Sequence, residues 1–287
     1  MTVVDITEQN LPEVKAFLER SPEASLFLLS NIRAFGARLG ESVYSGNFKG
    51  FEIDGALCGV SCLTRGGSLL AQTDGRADLA GEIVRVSRGE GMPIRGVLAS
   101  WEVSKAIWDV LLADGSVRQT VASKEIMYRL TLGEARGLQA SARLEARMLA
   151  PDDYEQWASL SAAFLSEVGL PAVGNPDQRK ASFVRSAGIG HWWGGFDGPT
   201  MVSIIGIIAL HETIAQIGGV FTPPGLRRHG YSRAVLSRVI RDARVLHHLE
   251  RIFLFTGEEN IPARTLYESV GFERFGHFGM FFGEPQT

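Results

Sequence analysis

The chain of 287 residues has little cysteine, and Cys58 and Cys62 are its two thiols. They are four residues apart in an apolar run typical of a strand, so both should point to the same face. No cluster of histidine or further cysteine accompanies them, which argues against a zinc site. We therefore expect buried thiols in a reducing compartment, and no metal.

Long runs of one charge and long apolar runs are missing too. The formal net charge is −3, and no basic run of the kind that neutralises phosphates occurs, so nucleic acid is not an expected partner. No apolar stretch reaches the roughly 18 residues of a membrane helix. The opening Met1–Asp5 lacks the basic segment and apolar stretch of a signal peptide. We therefore expect a cytoplasmic protein with no membrane partner.

The motifs of several enzyme classes are absent as well. There is no Gly-x-x-x-x-Gly-Lys-Ser/Thr loop for nucleotides and no Gly-x-Ser-x-Gly turn for a serine nucleophile. His211-Glu212 lacks the second histidine of a zinc peptidase, and His247-His248 is expected in solvent at a helix end. These absences argue against nucleotide hydrolysis, serine hydrolysis and zinc proteolysis.

Helical and strand-like periodicities follow one another twice in the same order. The first half gives four helices between strand-like runs, at 10–20, 24–36, 77–88 and 102–113. The second half gives four more, at 152–165, 177–187, 232–246 and 261–269. Residues 133–142 lack periodicity and are predicted to be a linker. We predict two copies of one α/β plan, at residues 1–132 and 143–287.

One segment of the second half, residues 220–232, has the features of a phosphate site. A predicted strand ends at Thr222, and a short loop leads into a helix whose first turn contains Gly230 and Ser232. The unpaired N–H groups and positive dipole at such a helix N-terminus bind a pyrophosphate. Gly230 would let the phosphate approach the backbone closely. Further positive potential comes from Arg227, Arg228, His229 and Arg233.

The segment resembles the acetyl-coenzyme A signature of the GCN5-related N-acetyltransferase (GNAT) family, Arg/Gln-x-x-Gly-x-Gly/Ala. Arg227, Gly230 and Ser232 occupy its three positions, and serine is a small departure. About 30 residues on, the chain is similar to the family's second signature, with Asn260, Ala263, Tyr267-Glu268 and Gly271-Phe272. The resemblance covers roughly residues 200–282 by motif and 143–287 by element order.

The resemblance implies an α/β (α+β) fold with two GNAT-like domains in tandem, each a mixed, mainly antiparallel central sheet flanked by helices. It implies acetyl-CoA as co-substrate and an amine acceptor, either a small molecule or a protein lysine or N-terminus. An oligomer is compatible with it. The first domain is expected to be a degenerate copy without cofactor, because its matching segment 71–79 has one glycine and Asp74 and Asp78 would repel a pyrophosphate. That copy would serve as structural cover and as part of the acceptor-binding surface.

The resemblance also implies a role for each residue of the two signatures. The backbone of 220–222 would pair with the pantetheine arm, the amides of 228–233 would hold the pyrophosphate, and Tyr267 would protonate the leaving thiolate. A strand amide near Val220 would stabilise the oxyanion. The implied cofactor-binding residues are Val220, Phe221, Thr222, Arg227, Arg228, His229, Gly230, Tyr231, Ser232, Arg233, Asn260, Ala263 and Tyr267.

The general base and the acceptor wall stay open at this point. Glu167 is a candidate catalytic residue that could deprotonate a cationic acceptor or bind it, or it could be a solvated acid at a helix end. Glu258 and Glu259 are other candidates, whereas Glu212 is expected at the surface of a turn. One of Trp192 and Trp193 is expected in the core, and the other could line the acceptor site. Two further functions stay open: an acyl-CoA sensor without turnover, and acyl transfer to a hydroxyl or thiol.

Overall fold

The computed structural model describes residues 1–141, 143–170 and 172–286. The chain forms two compact units: the first comprises Met1–Met127 and Gly276–Thr287, and the second comprises Tyr128–Phe275. Residue 142, the last of the predicted linker, and residue 287, the last of the predicted second domain, lie outside the described residues. No helix in the described part of the chain is long and apolar enough to cross a membrane.

The first unit contains four helices and a mainly antiparallel sheet. Along the chain its elements are β1 Thr2–Asp5, α1 Leu11–Leu18, α2 Pro22–Phe35, β2 Gly46–Ile53, β3 Ala56–Thr64, β4 Ser68–Gln72, α3 Ala80–Arg88, β5 Gly96–Ser100, α4 Trp101–Ala113 and β6 Val117–Thr131, which ends in the second unit. Strands β1 to β4 pair antiparallel in sequence order, whereas β4 and β5 pair parallel. Two buried clusters form the core, one with α1 and α2 and one with α3 and α4.

The second unit repeats the same order of elements. They are β7 Glu145–Met148, α5 Tyr154–Val168, α6 Pro176–Gly188, β8 Trp192–Asp197, β9 Thr200–His211, β10 Ile214–Phe221, α7 Tyr231–Val245, β11 Arg251–Gly257, α8 Ile261–Ser269 and β12 Glu273–Pro285, which continues into the first unit. The strands pair in the order β11-β10-β9-β8-β7, and of these pairs β10–β11 is parallel and the others are antiparallel.

Local sequence explains why the helices of the second unit lie where they do. Helix α7 buries one stripe at helical spacing, Val235, Leu236, Val239, Ile240 and Ala243, and keeps its arginines outside it. Asn175 caps the start of helix α6. Its side chain accepts a hydrogen bond from the N–H of Gln178, and the Gln178 side chain accepts one from the Asn175 N–H in return. Both helices are therefore fixed by their own sequence.

Turn chemistry sets one strand boundary, and apolar periodicity misses another. Strands β2 and β3 are joined at Asp54-Gly55, where both residues have positive φ as in a two-residue hairpin loop. Strand β6 begins at Val117, although residues 118–124 do not show the apolar pattern of a strand.

The last strand belongs with the first unit. Residues Phe278–Phe282 of β12 pair antiparallel with Gly96–Ser100 of β5. The compact units therefore divide the chain at 127/128 and 275/276, whereas the predicted domains 1–132 and 143–287 follow the repeat in the sequence. A pattern of apolar residues identifies a strand, but it does not say which neighbour the strand joins.

Candidate functional site

The two parallel strands of the second unit pair over a short distance only. In the described chain, the β10–β11 register covers Ile214–Gln216 with Arg251–Phe253. Farther along, β10 continues to Phe221 beside β9, and its register is irregular at Gln216/Ile217 and at Gly218/Phe221. Residues 217–221 thus carry backbone groups on the β11 side that a ligand can use as it would a strand edge.

Three residues form a row across this irregular region. Trp192 of β8 pairs with Gly206 of β9, and Gly206 pairs with Gly218 of β10. A Cβ atom at Gly206 would lie 2.7 Å from the Trp192 ring, and one at Gly219 would lie 3.0 Å from it. Gly219 also has φ +59°, a conformation that favours glycine. The Trp192 indole can therefore pack directly on the backbone of β9 and β10, because Gly206 and Gly219 have no side chains there.

The loop after β10 leads into helix α7 with left-handed residues. Arg228 has φ 66°, and Gly230, the residue before α7, has φ +80°. Such turns expose successive N–H groups toward an anion, and strained residues of this kind cluster at functional sites. The first turn of α7 contains no acidic residue. This N-terminus is therefore electrostatically suited to a phosphate.

Hydroxyl groups tie the end of β10 to the first turn of α7. The Thr222 hydroxyl lies 2.7 Å from the Ser232 hydroxyl and donates to the Ser203 hydroxyl at 2.9 Å. Ser232 replaces the Gly or Ala of the family signature, and this contact shows what the extra oxygen does. It fixes the loop against the strand.

The basic side chains of the loop have partners of their own. Arg227 donates through Nε to the Thr222 carbonyl at 2.9 Å and through Nη2 to both Glu167 oxygens, at 2.7 and 2.6 Å. Arg233 donates to the Ser269 hydroxyl and to the Gly137 carbonyl. Both guanidinium groups are therefore held in place, and the charge of Arg227 is offset by Glu167.

Two aromatic side chains stack beside the same N-terminus. The rings of exposed His229 and half-buried Tyr231 are stacked with centroids 5.6 Å apart. The Tyr231 hydroxyl donates to Asp197 at 3.0 Å, and this bond to a carboxylate raises the pKa of Tyr231. The stack places two flat rings at the entrance to the loop.

The second signature forms helix α8. Asn260 precedes the helix, and its side-chain oxygen accepts from the N–H of Ala263 at 3.3 Å. Asn260, one of the implied cofactor-binding residues, thus caps its own helix through a local backbone contact. Glu258 and Glu259 are exposed in the loop before it.

Tyr267 is buried on α8, with 4% of its surface exposed. Its ring contacts those of Tyr128 and Phe272, with centroids 6.1 and 5.7 Å away. The Tyr128 hydroxyl donates to Glu268 at 2.6 Å, and Arg274 donates to the same carboxylate. These bonds lower the pKa of Glu268. The pKa of Tyr128 is raised, mainly by burial and next by the hydrogen bond to Glu268. Tyr267 therefore lies beside the protonated phenol of Tyr128, which, together with Arg274, holds the Glu268 carboxylate.

An aromatic cluster covers the sheet on the α5 and α6 side. Trp157 lies edge-on to Trp192 at 5.0 Å and packs on Phe183 at 4.5 Å, and Phe164 contacts Phe221. Trp193 points into the opposite core, fully buried, and donates to Asp242 at 2.8 Å. One of the two tryptophans was expected in the core, and Trp193 is that residue.

Sequence reasoning missed one polar residue of this region. Gln216 is the last β10 residue paired with β11; it is 3% exposed, and its side-chain oxygen has no hydrogen-bond partner among the described residues. An unsatisfied buried oxygen costs free energy of folding. A lone polar residue in an apolar strand pattern, Ile214-Ala215-Gln216-Ile217, was the available signal.

The corresponding region of the first unit has the same plan with different residues. Strand β4 pairs parallel with β5 over Ser68–Leu70 and Gly96–Leu98. In the turn that follows, Asp74 and Gly75 have positive φ, and Arg76 donates to Asp78. The loop is short and contains both predicted acids.

Comparison with known proteins identifies the class. Residues 155–272 match the family model described as the acetyltransferase (GNAT) family. These residues therefore match a GNAT acetyltransferase domain, and the match implies acyl transfer from an acyl-CoA. No curated protein matches the chain.

Solved structures extend the likeness in fold to the whole chain. A Drosophila protein has 13% identity and a TM-score of 0.71, with 99% of each chain covered. A GCN5-related N-acetyltransferase from Sphaerobacter thermophilus has 13% identity and a TM-score of 0.62, with 98% of this chain and 94% of that chain covered. A tandem GNAT protein from the clavulanic acid biosynthesis pathway has 12% identity and a TM-score of 0.54, with 100% and 99% covered. The predicted fold class, two GNAT-like copies in tandem, is confirmed.

Proposed function

We propose that the protein is an N-acetyltransferase that uses acetyl-CoA, and that the donor binds the second unit. One observation carries the proposal: the strand edge of β10, residues 217–221, is followed by the loop 222–230, which leads into the N-terminus of α7. The amide-bearing pantetheine arm fits the first feature and the pyrophosphate fits the second.

The reaction is acyl transfer by direct attack. The neutral amine nitrogen bonds to the thioester carbonyl carbon, and the carbonyl oxygen becomes an oxyanion near the β10 amides around Val220. The C–S bond then breaks, the sulfur leaves with the bonding pair, and the amine nitrogen loses its proton. The Tyr267 phenol is assigned to protonate the sulfur. The residue that accepts the amine proton is left unassigned.

The first unit is proposed to bind no acyl-CoA. Its loop after β4 contains Asp74 and Asp78, whereas the first turn of α7, the corresponding place in the second unit, has no acidic residue. Like charge at this place opposes a pyrophosphate. Its proposed role is structural.

Two measurements on the full chain test the function. Calorimetry should show one acetyl-CoA site per chain, and thiol release should accelerate when a pool of amines is added. Acetyl-CoA binding without amine-dependent thiol release would identify a sensor instead. Thiol release stimulated only by alcohols or thiols would change the acceptor class.

Replacing Tyr267 with Phe tests the assigned acid. We expect turnover to fall by about 10²–10⁴-fold with little change in acetyl-CoA affinity, because the proton is needed as the thiolate leaves. The basic limb of the pH–rate profile should disappear or move. A rate within about twofold of wild type, with chemistry limiting, would remove Tyr267 from the mechanism.

A further inference from the structure

Next to the proposed acyl-transfer point lies an apolar patch, consisting of Trp192, Ile208 and the glycines 206, 218 and 219. A Cβ at Gly206 would meet Trp192, and a Cβ at Gly218 would meet Ile208 at 2.5 Å. Because Gly206 and Gly218 are cross-strand partners, Trp192 and Ile208 lie on the same face of the sheet. Ile208 is 46% exposed and Trp192 is half-buried. The patch is therefore open to a ligand.

The patch borders the residues assigned to chemistry. Gly219 immediately precedes Val220, whose strand amides are assigned to the oxyanion. The Trp192 ring approaches the position of a Gly219 Cβ to 3.0 Å. An amine attacking a thioester along β10 would bring its substituent against this ring.

Trp192 is held so that it can act as a platform. The edge-on contact with Trp157 and the close fit over Gly206 restrict the indole, so little side-chain entropy is lost when a ligand packs on it. Aromatic groups pack on an indole in offset or edge-on geometry. Such pairs gain free energy in addition to that from the apolar area they bury.

The acid predicted to bind a cationic acceptor is already paired. Glu167, the acid predicted to hold a cationic acceptor, is bound through both oxygens by Arg227. The apolar contacts remain as the means of recognising a substituent.

From these contacts we propose that Trp192 selects the acceptor, and that the acceptor is a small primary amine carrying an aromatic ring. This proposal rests on the proposed function, because it names the acceptor of that reaction. Trp192 acts as a specificity-determining residue through packing and takes no part in proton transfer.

The test compares 2-phenylethylamine with ethylamine as acceptors. We expect wild-type kcat/KM to favour 2-phenylethylamine by about ten- to hundredfold, the range that burial of an apolar group provides. Trp192→Ala should bring this ratio to within about threefold of one, mainly through KM, and Trp192→Phe should keep part of the preference. Gly219→Ala, which pushes on the indole, should reduce the ratio as well. The control Trp101→Ala, in the first unit, should keep the wild-type ratio.

Acetyl-CoA affinity, measured by calorimetry on every variant, confirms that each is folded. A second measurement is independent of turnover: 2-phenylethylamine should bind the enzyme–CoA complex, and Trp192→Ala should weaken that binding. Thiol release without preference for the aromatic amine, or an unchanged ratio in Trp192→Ala, would overturn the proposal and leave the function intact. Absence of thiol release with every amine, with acetyl-CoA still bound, would overturn the function. The binding measurement would then decide whether Trp192 recognises the ring.

Discussion

The guanidinium of Arg227 holds the carboxylate of Glu167 through both of its oxygens while its Nε donates to the Thr222 carbonyl. A predicted cofactor residue and a predicted catalytic residue are therefore partners of each other. Both side chains are 44% exposed, so the pair contributes little to stability. Its effect is on the charge at the loop, where Glu167 offsets the arginine that precedes α7.

Replacing Glu167 with Gln should tighten acetyl-CoA binding, because it removes a negative charge near the proposed pyrophosphate site. We expect an increase in affinity of about two- to fivefold at low salt that shrinks as salt is added. The free energy of unfolding should change by less than about 1 kcal/mol. Calorimetry at two salt concentrations measures the first effect and urea titration the second.

The same variant decides whether Glu167 is the general base. Loss of a base lowers turnover by about 10²–10⁴-fold and removes the acidic limb of the pH–rate profile. Retention of both would assign Glu167 to positioning Arg227. Glu155→Gln, on the other end of α5, is the matched control and should leave affinity and pH profile unchanged.

Replacing Gln216 with Met should separate a ligand-binding role from a structural one. The unpartnered oxygen of Gln216 costs about 1–3 kcal/mol, and an apolar side chain of similar length avoids that cost. We therefore expect equal or higher stability in urea titration. If the oxygen accepts a hydrogen bond from the bound acceptor or donor, kcat/KM should fall by about tenfold or more. Higher stability with unchanged kinetics would show that Gln216 has no part in the site.

The repeated element order and the phosphate-binding segment could be predicted from the sequence because both depend on local patterns. The apolar stripe of α7, the turn at Asp54-Gly55 and the small residues at Gly230 and Ser232 are each specified within a few residues. These signals are sufficient for the fold class.

The partners of individual side chains could not be predicted in the same way. Glu167 and Arg227 are 60 residues apart in sequence. Trp192 and Gly219 are close in space although they lie on β8 and β10, with β9 between them. The pairing of β12 with β5 joins residues about 180 apart, so it depends on tertiary packing that no local pattern contains. The candidate site therefore depends on tertiary contacts that local sequence does not specify.

Acid should destabilise the protein partly through His191. Burial, and next the nearby His247, lowers the pKa of His191 from 6.5 to about 4, so the folded protein keeps this ring neutral where the unfolded chain protonates it. The stability contribution is present above pH 6.5 and is lost as the pH falls from 6.5 to about 4.

His191→Gln should flatten that pH dependence. Between pH 7 and pH 4, the unfolding free energy of the variant should fall by about 1–3 kcal/mol less than that of wild type. The range allows for the partial exposure of the ring. Urea titrations at half-unit pH steps measure it. The control is His248→Gln, at an exposed position just after α7. This variant should keep the wild-type dependence of unfolding free energy on pH. Equal slopes in His191→Gln and wild type would contradict the assignment.

The strongest test of the phosphate site is a matched pair of substitutions at Gly230. The residue precedes α7 with φ +80°, and a Cβ added there meets nothing within 4 Å. Gly230→Asn and Gly230→Asp add side chains of nearly the same shape and the same left-handed strain, which Asn and Asp tolerate better than most residues. Both variants should therefore fold with similar stability in thermal unfolding. They differ by one negative charge at the helix N-terminus.

If the pyrophosphate binds this N-terminus, that charge opposes it directly. We expect Gly230→Asn to weaken acetyl-CoA by less than about tenfold and Gly230→Asp by about a hundredfold or more, and the gap should narrow at high salt. Calorimetry on both variants at two salt concentrations gives the four affinities. Free pantetheine, which lacks the pyrophosphate, should bind the two variants equally. Equal losses of acetyl-CoA affinity in the Asn and Asp variants would mean that the side chain acts by shape, and that the phosphates lie elsewhere.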